Sequence, residues 1–185
     1  MATNTSSESH ATALTPQALR SPSVLWASLG GIGFLRPAPG TWGSAGAVVL
    51  WWLLAPLAPL LQLALIVAYF LVSWWTAHRI TQRLSVADAP QIVADEVVGM
   101  WLALWLIGIV SDAAPASIDA TPALLALVWA AAFALFRWLD IAKPSLIGWL
   151  DTNIKGGLGV MLDDVVAGLV TGGVIGIVLW LTTLG

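Results

Sequence analysis

The stretch GGLGVMLDDVVAGLVTGGVIGIVLWL covers residues 156–181, and its second half contains no ionisable side chain. A helix over this stretch is long enough to cross a bilayer, which takes about 20 apolar residues. Yet Asp163 and Asp164 lie side by side near its start, and no Lys or Arg follows them. Carboxylates next to hydrocarbon are costly in free energy and are rarely kept without a use. The two aspartates are therefore candidates for a functional site.

The composition of the whole chain agrees with a membrane location. Of its 185 residues, 59% are hydrophobic and 9% are charged, and the mean hydropathy is +0.90. A soluble domain carries about 25% charged residues, so we predict an integral membrane protein. The net charge of −3 excludes a basic nucleic-acid-binding surface. The lack of cysteine excludes disulfides, zinc–thiolate sites and a cysteine nucleophile.

Prolines and charge-free intervals divide the chain into helices. No residue between Arg36 and His78 is ionised at neutral pH, and Pro56 and Pro59 interrupt this interval near its middle. We predict an all-α fold, a polytopic helical membrane protein with four to five membrane-embedded helices in one bundle. The predicted helices cover approximately residues 44–55, 60–83, 90–110, 121–142 and 160–183. Residues 1–25 are predicted to form a disordered polar tail, and residues 26–185 a single membrane-embedded domain.

The basic residues predict how such a bundle is oriented. Five crossings with the N-terminus inside put all seven Lys and Arg residues on one face, which the positive-inside rule makes cytoplasmic. The turn at 55–61 and the loop at 111–122, on the opposite face, contain none. The first helix is short, and the sequence leaves open whether it crosses the membrane or lies at the interface. With either arrangement, the basic residues remain on the predicted cytoplasmic face.

Two short segments on the predicted cytoplasmic face echo each other. ADEVVG at 94–99 and LDDVVAG at 162–168 each place two acids, two valines and a glycine at the start of a membrane helix. We expect them to form two facing walls of one site. The alternative is that these acids are solvated charges favoured by the helix dipole. Six carboxylates share this face: Asp88, Asp95, Glu96, Asp140, Asp163 and Asp164.

Six acids near a low-dielectric medium repel one another unless a cation neutralises them. Mg²⁺ takes oxygen ligands from one or two carboxylates and from substrate phosphates, so we predict Mg²⁺ as the cofactor. The lack of Cys disfavours zinc and copper. For Asp88, a role in a turn or a helix cap is the alternative. The candidate metal ligands are Asp88, Asp95, Glu96, Asp163 and Asp164.

Glycines and hydroxyls on the same face suit a phosphate group. The glycines of GGIGF at 30–34 and APGT at 38–41 allow backbone N–H groups to approach an anion closely. Thr41 and Ser44 add hydroxyl groups at a helix start, although both could simply cap the first helix. We include both among the candidate substrate-binding residues.

Two cations complete the predicted phosphate site. Arg137 and Lys143 can pair with phosphate oxygens, and Asp140 shares a helix face with Arg137 at a spacing of three residues. Pro144 disfavours helical geometry at Lys143, which predicts that the lysine lies at the helix end. Arg137, Asp140 and Lys143 are therefore further candidate substrate-binding residues.

Four blocks of the sequence resemble the signature motifs of the phosphatidylglycerophosphatase A family. They occur in the family's order and cover most of the chain from about residue 30 to 170, although Arg36 and Ala94 depart from the residues common there. The blocks are GIGFLRPAPGTWGS, DAPQIVADEVVGMW, FALFRWLDIAKPSLI and GGLGVMLDDVVAG. The resemblance implies a Mg²⁺-dependent, multi-pass enzyme of the bacterial inner membrane, in contact with membrane lipids. Its reaction would convert phosphatidylglycerophosphate into phosphatidylglycerol and phosphate.

With this resemblance, we hypothesise that Asp95, Glu96, Asp163 and Asp164 are the catalytic residues, facing the cytoplasm. They would hold one or two Mg²⁺ ions, and one carboxylate would act as the base for an attacking water. A phospho-aspartyl intermediate is an alternative, although the DxDx(T/V) motif of one large phosphatase class is absent.

Two other functions compete with a phosphatase. A small ion-coupled transporter could use the acidic pairs as cation sites, but transporter sites usually lie near the membrane midplane, whereas these acids lie near one interface. An enzyme that transfers phosphatidyl groups from a CDP-lipid would also use Mg²⁺ and acids. Its DxxDGxxAR motif is absent from this chain.

Overall fold

The computed structural model describes residues 14–84, 89–114, 121–154 and 156–184, with the side chains of residues 83 and 84 left out. Within these ranges the backbone forms helices and turns and no strand, which confirms the predicted all-α class. Two short 3₁₀ turns, Pro16–Arg20 and Ile32–Phe34, flank the first α-helix. The α-helices are α1 (Pro22–Ala27), α2 (Pro39–Leu54), α3 (Pro59–Leu84), α4 (Ala94–Asp112), α5 (Pro122–Ala142), α6 (Leu146–Asn153) and α7 (Gly157–Thr182).

Four of these helices, α3, α4, α5 and α7, are long and apolar enough to cross a membrane, judged by length and composition. Their outer faces carry large apolar side chains exposed on the protein surface, which suits hydrocarbon rather than water. These side chains include Val67, Leu71, Leu127, Val174, Ile177 and Val178. The protein is therefore a multi-pass helical membrane protein.

Most helix ends agree with the sequence prediction. At the start of α5, the Thr121 hydroxyl accepts a hydrogen bond from the Leu124 N–H at 3.2 Å, and Pro122 takes the first helical position. α4 begins at Ala94 rather than near residue 90, because residues 89–92 form a turn closed by the bond from the Ile92 N–H to the Ala89 carbonyl. The short helix α6 has no counterpart in the sequence prediction.

α2 begins at Pro39, five residues before the predicted start, and packs against α4. Its 16 residues rise by about 24 Å, which is less than the hydrocarbon core of about 30 Å. At its far end, the Gln62 side chain of α3 donates to the carbonyls of Leu54 and Ala55 at 3.0 and 3.2 Å. Gln62 therefore satisfies backbone groups that the end of a helix leaves unpaired.

α4 and α7 pack against each other along a seam of small residues. A Cβ on Gly168 would collide with the Gly99 backbone, and a Cβ on Gly172 would lie 2.7 Å from the Ala103 carbonyl oxygen. Gly176 likewise has no room for a side chain beside Val110. These glycines permit close packing of the two helices. Gly173 is the exception, since it faces open space.

The segment before α2 folds over one end of the bundle. Leu14, Val24 and Ala27 are buried against Ala77 and Ile80 of α3. Residues 14–25 of the predicted tail are among the described residues, where a 3₁₀ turn and α1 place apolar side chains against α3. The rest of the predicted tail, residues 1–13, lies outside the described residues.

Candidate active site

A cavity of about 410 Å³ lies where the start of α2, the start of α4, the end of α5, α6 and the start of α7 meet. All of these ends belong to the same face of the bundle. The charged residues that line it, within the described ranges, are Asp95, Glu96, Asp140, Asp151, Asp163 and Asp164 together with Arg137 and Lys143. Six carboxylates against two cations leave an excess of negative charge, which calls for a positive ligand.

The two acidic pairs face each other because their glycines touch. Gly99 follows Asp95 and Glu96 by one helical turn, and Gly168 follows Asp164 by one turn. These two glycines form the closest part of the α4–α7 seam. The similarity between ADEVVG and LDDVVAG thus has a structural reason. In each segment the glycine lets the helices approach closely, which places its acids beside the facing helix.

Three of the acids form a compact group. One carboxylate oxygen from each of Asp95, Glu96 and Asp164 lies within 4.8 Å of the other two. Oε2 of Glu96 and Oδ1 of Asp164 are buried and have no hydrogen-bond partner among the described residues. Mg²⁺ binds oxygen ligands at about 2.1 Å, so small side-chain rotations would let these oxygens share one ion. The donor set therefore fits a hard divalent cation.

Asp163 is turned away from this group, although it is the neighbour of Asp164. Its Oδ2 accepts a hydrogen bond from Nζ of Lys143 at 2.7 Å, and its Oδ1 is buried without a hydrogen-bond partner in the described part of the chain. Adjacent residues on a helix point about 100° apart, which explains why the pair divides between two partners. The structure thus groups Asp163 with Lys143 rather than with the predicted metal ligands.

Lys143 ends α5, as predicted from Pro144, with φ 43° in the left-handed region. Besides Asp163, it donates to Oδ1 of Asp151 on α6 at 2.6 Å. Partial burial lowers the pKa of Lys143, but its hydrogen bonds with Asp151 and Asp163 raise the pKa by more, to well above the ordinary lysine value. The lysine therefore stays charged at neutral pH and links α5, α6 and α7.

Arg137 lies one and a half turns before the end of α5 and points into the cavity. Its Nη1 pairs with Oδ2 of Asp140, three residues on, and lies 3.8 Å from Oε1 of Glu96. Its Nε is buried and has no hydrogen-bond partner among the described residues. Arg137 thus links the acid group to α5, and its Nε–H is available to a ligand as far as the described residues show.

The predicted hydroxyl ligands do not line the cavity. Ser44 is fully buried, and its hydroxyl donates to the Gly40 carbonyl at 2.9 Å within α2. Thr41 is absent from the cavity wall, because α2 begins at Pro39 and turns both hydroxyls away. Of the glycines in the same segments, Gly40 lines the cavity, where a Cβ would collide with Glu96, while Gly33 packs against Gln91.

One predicted ligand cannot be placed, and one cavity residue was missed. Asp88, a candidate metal ligand, lies outside the described residues. Asp151 was not predicted, because the sequence indicates no helix between residues 142 and 160. The signal available in the sequence is LIGWLDTN at 146–153, an apolar run that ends in polar residues directly after Lys143 and Pro144.

The fold and the cavity together define a class of protein. It is a polytopic helical membrane protein with an acidic cavity, suited to binding a cation, at one end of its bundle. Comparisons with known proteins identify the family within that class. The family model described as phosphatidylglycerophosphatase A matches residues 25–179. The chain therefore belongs to the phosphatidylglycerophosphatase A family, whose members are phosphatases.

Individual relatives agree with this family. The chain is 33% identical over 148 residues to phosphatidylglycerophosphatase A of Escherichia coli (strain K12), covering 78% of this chain and 76% of the relative. It is 36% identical over 140 residues to the protein of the same name from Haemophilus influenzae, covering 75% and 77%. A Bacteroides thetaiotaomicron protein, provisionally named a phosphatidylinositol-3-phosphatase, is 34% identical over 172 residues, covering 88% and 98%. No solved structure matches the chain significantly.

Proposed function

We propose that this protein is a Mg²⁺-dependent phosphatase of the bacterial inner membrane that hydrolyses the terminal phosphomonoester of phosphatidylglycerophosphate. Membership of the family gives the reaction class. The observation that carries the proposal is the group of Asp95, Glu96 and Asp164 oxygens beside Arg137 and Lys143, in which two oxygens are buried with no hydrogen-bond partner among the described residues. Carboxylates and cations held side by side suit a metal and a phosphate that bind together.

Asp95, Glu96 and Asp164 are the proposed Mg²⁺ ligands. When bound, Mg²⁺ supplies positive charge that offsets the charge of the phosphate. Asp163 is proposed to position Lys143 instead of binding the metal, because its hydrogen bond with Lys143 holds the ammonium at the cavity wall.

Arg137 and Lys143 would bind the phosphate oxygens. The buried Nε of Arg137 is an unused donor, and the arginine side chain is fixed by its ion pair with Asp140. Donors that are fixed before the reaction stabilise the developing charge at no cost in reorganisation. Gly40 leaves the space beside Glu96 and Arg137 open, since a Cβ at this position would collide with these side chains.

The chemical step is hydrolysis by water. A cavity carboxylate takes a proton from the water, whose oxygen forms a bond to phosphorus while the bond from phosphorus to the glycerol oxygen breaks. The glycerol oxygen then takes up the proton that the carboxylate removed from the water, and the products are phosphatidylglycerol and inorganic phosphate. The helix-end position of the cavity suits a lipid headgroup, because the acyl chains can stay in the bilayer.

We also propose that the cavity faces the cytoplasm. The cations of the described residues belong to the segment before α2, the end of α3 or the end of α5, which share the cavity face. The turn between α2 and α3 contains no Lys or Arg. This asymmetry is the one that the positive-inside rule relates to the cytoplasm.

The test is phosphate release by the purified protein in detergent, with phosphatidylglycerophosphate as substrate, in excess Mg²⁺ and after chelation. We expect release that is lost on chelation and restored by added Mg²⁺. Release that persists without any divalent cation would contradict the metal assignment. No release under any condition would favour the ion-coupled transporter, for which ion uptake into vesicles is the assay.

A phosphatidylinositol 3-phosphate is a second candidate substrate, favoured by the provisional name of the Bacteroides relative and its coverage of 98% of that protein. Both lipids carry a phosphomonoester on a polyol, so the same cavity chemistry would serve. Parallel assays with the two lipids, compared by kcat/KM, decide between them.

A further inference from the structure

Lys143 joins two carboxylates that are held in different ways. Its Nζ lies 2.7 Å from Oδ2 of Asp163 and 2.6 Å from Oδ1 of Asp151. The Asp163 side chain is 6% exposed and belongs to the 26-residue helix α7. The Asp151 side chain is 45% exposed and belongs to the eight-residue helix α6. One ammonium group is thus shared by a buried carboxylate and a solvent-facing one.

A phosphate group that enters the cavity needs the same donor. An ammonium has three N–H donors, and two of them already point at carboxylates. The cavity has six carboxylates against two cations among the described residues, so a further dianion adds strong like-charge repulsion. An ion pair between the Lys143 ammonium and the phosphate would offset this repulsion, and one carboxylate must release the ammonium for that pair to form.

Asp151 is the partner that is released at the lower cost. Withdrawing the ammonium from Asp163 would leave a buried carboxylate whose other oxygen has no hydrogen-bond partner in the described part of the chain, and unpaired buried charges are strongly destabilising. Asp151 is open to water, which can hydrate it once the ion pair breaks. Exposed ion pairs contribute little to stability, so little is lost.

We propose that Asp151 is a displaceable partner of Lys143, which occupies the ammonium in the empty cavity and is replaced there by the phosphate dianion. This inference rests on the proposed function, because it takes the phosphomonoester as the ligand. Asp151 is then a positioning residue that acts through Lys143 and weakens phosphate binding. The shared ligand chemistry is a tetrahedral phosphate dianion, either on the lipid headgroup or as free inorganic phosphate.

The test is the substitution Asp151→Asn, assayed with the lipid substrate and with inorganic phosphate as inhibitor. We expect the KM and the inhibition constant of phosphate both to fall by about twofold to fivefold, the range for one partly exposed ion pair. Structural damage would weaken binding, so tighter binding separates the proposal from a purely structural role. Unchanged or weaker binding of both ligands overturns the proposal.

Two further variants separate the contact from the net charge. Asp151→Glu keeps a carboxylate in reach of Lys143 and is expected to return both constants toward wild type. The double variant Asp151→Asn with Asn153→Asp restores the charge of α6 at an exposed position but not the contact. Binding that stays tight supports displacement, and a return to wild-type binding overturns it. Asp112→Asn, at the other end of α4, is the matched control and should leave both constants unchanged.

Direct binding keeps this test independent of turnover. If the wild type releases no phosphate from the lipid, the proposed substrate is wrong, and calorimetric titration of inorganic phosphate in excess Mg²⁺ still compares wild type with Asp151→Asn. Tighter binding by the variant supports displacement without the proposed reaction. Equal binding, or no binding by either protein, overturns it.

Discussion

Two cavities lie at opposite ends of the same helices, and they differ in chemistry more than in size. The acidic cavity measures about 410 Å³ and lies at the starts of α4 and α7. The far cavity measures about 510 Å³ and lies at their other ends, between the α2–α3 turn and the start of α5. Its described wall is mostly apolar and includes Trp51, Leu104, Val128 and Trp129, with Asp112 as its one carboxylate.

The volume of a cavity in this bundle therefore does not indicate its function. Apolar walls within a membrane need no partner, since lipid chains can fill them at little cost. Carboxylates at a helix start do need a partner, because a low-dielectric surrounding penalises unpaired charge. The acidic cavity, although smaller, is therefore the candidate active site, and changes at the two ends of the bundle should differ in their effect on activity.

The largest expected difference is between two substitutions of aspartate by asparagine. Asp164→Asn removes one charge from the group with Asp95 and Glu96, and phosphate release should fall by about a hundredfold or more. Asp112→Asn, in the far cavity, should stay within about twofold of wild type, as expected for a group remote from the reaction. Phosphate release from purified protein measures both. Full turnover by Asp164→Asn would remove this residue from the proposed metal site.

The next largest effect is expected from Arg137, where a substitution changes the shape of the cationic side chain but not its charge. Arg137→Lys keeps the charge but loses the Nε donor and the planar fork, so kcat/KM should fall by about tenfold to a hundredfold. Arg79→Lys is the matched control, because Arg79 is exposed and its guanidinium lies over Trp75 at 4.2 Å from the ring centre. A loss of activity in Arg79→Lys as large as in Arg137→Lys would contradict the assignment of Arg137 to phosphate binding.

The seam that joins the two ends gives a smaller effect, on stability. Gly168→Ala would push a Cβ into the Gly99 backbone and should lower the free energy of unfolding by about 1–3 kcal/mol. Gly173→Ala makes the same change on the same helix but faces open space, so it should be neutral or slightly stabilising. Thermal unfolding in detergent compares the two. Equal melting temperatures would mean that α4 and α7 do not pack through these glycines.

The smallest effect is the pH dependence that Lys143 adds to stability. Its pKa lies above the ordinary value of 10.5, despite partial burial, because of Asp151 and Asp163. The folded state thus holds the proton more tightly than the unfolded state does. Its contribution is complete below the ordinary pKa and is lost as the pH rises through the raised pKa. The difference in melting temperature between wild type and Lys143→Gln should therefore stay constant from about pH 7 to 10. A difference that shrinks within this range would contradict the ion pairs of Lys143.

Much of the acidic cavity could be predicted from the sequence, because its residues stand out against an apolar background. Asp95, Glu96, Asp163 and Asp164 are carboxylates at the starts of hydrophobic helices, which composition alone makes conspicuous. The i, i+3 spacing places Arg137 beside Asp140, and Pro144 places Lys143 at a helix end. Each of these inferences depends on local geometry, which the sequence specifies well.

The errors arise where a side chain's direction depends on a helix boundary. The start of α2 was expected near Ser44, which would leave its hydroxyl free, but the helix starts at Pro39 and the hydroxyl bonds the preceding turn. Asp151 lies on an eight-residue helix, too short for a periodic pattern to distinguish it from a loop. Its pairing with Lys143 depends on tertiary packing of α6 on α7, which no local pattern reports.

Because α2 is short, we expect the thickness of the bilayer to affect the turnover of this enzyme. Its start, at Gly40, forms part of the acidic cavity, while its end is tied to α3 through Gln62. To cross a bilayer thicker than its roughly 24 Å rise, α2 would need the bilayer to thin around it or its ends to be drawn inward. Drawing the start inward moves Gly40 relative to Glu96 and Arg137. Lipids with longer acyl chains are thus expected to change turnover without contacting a single catalytic group.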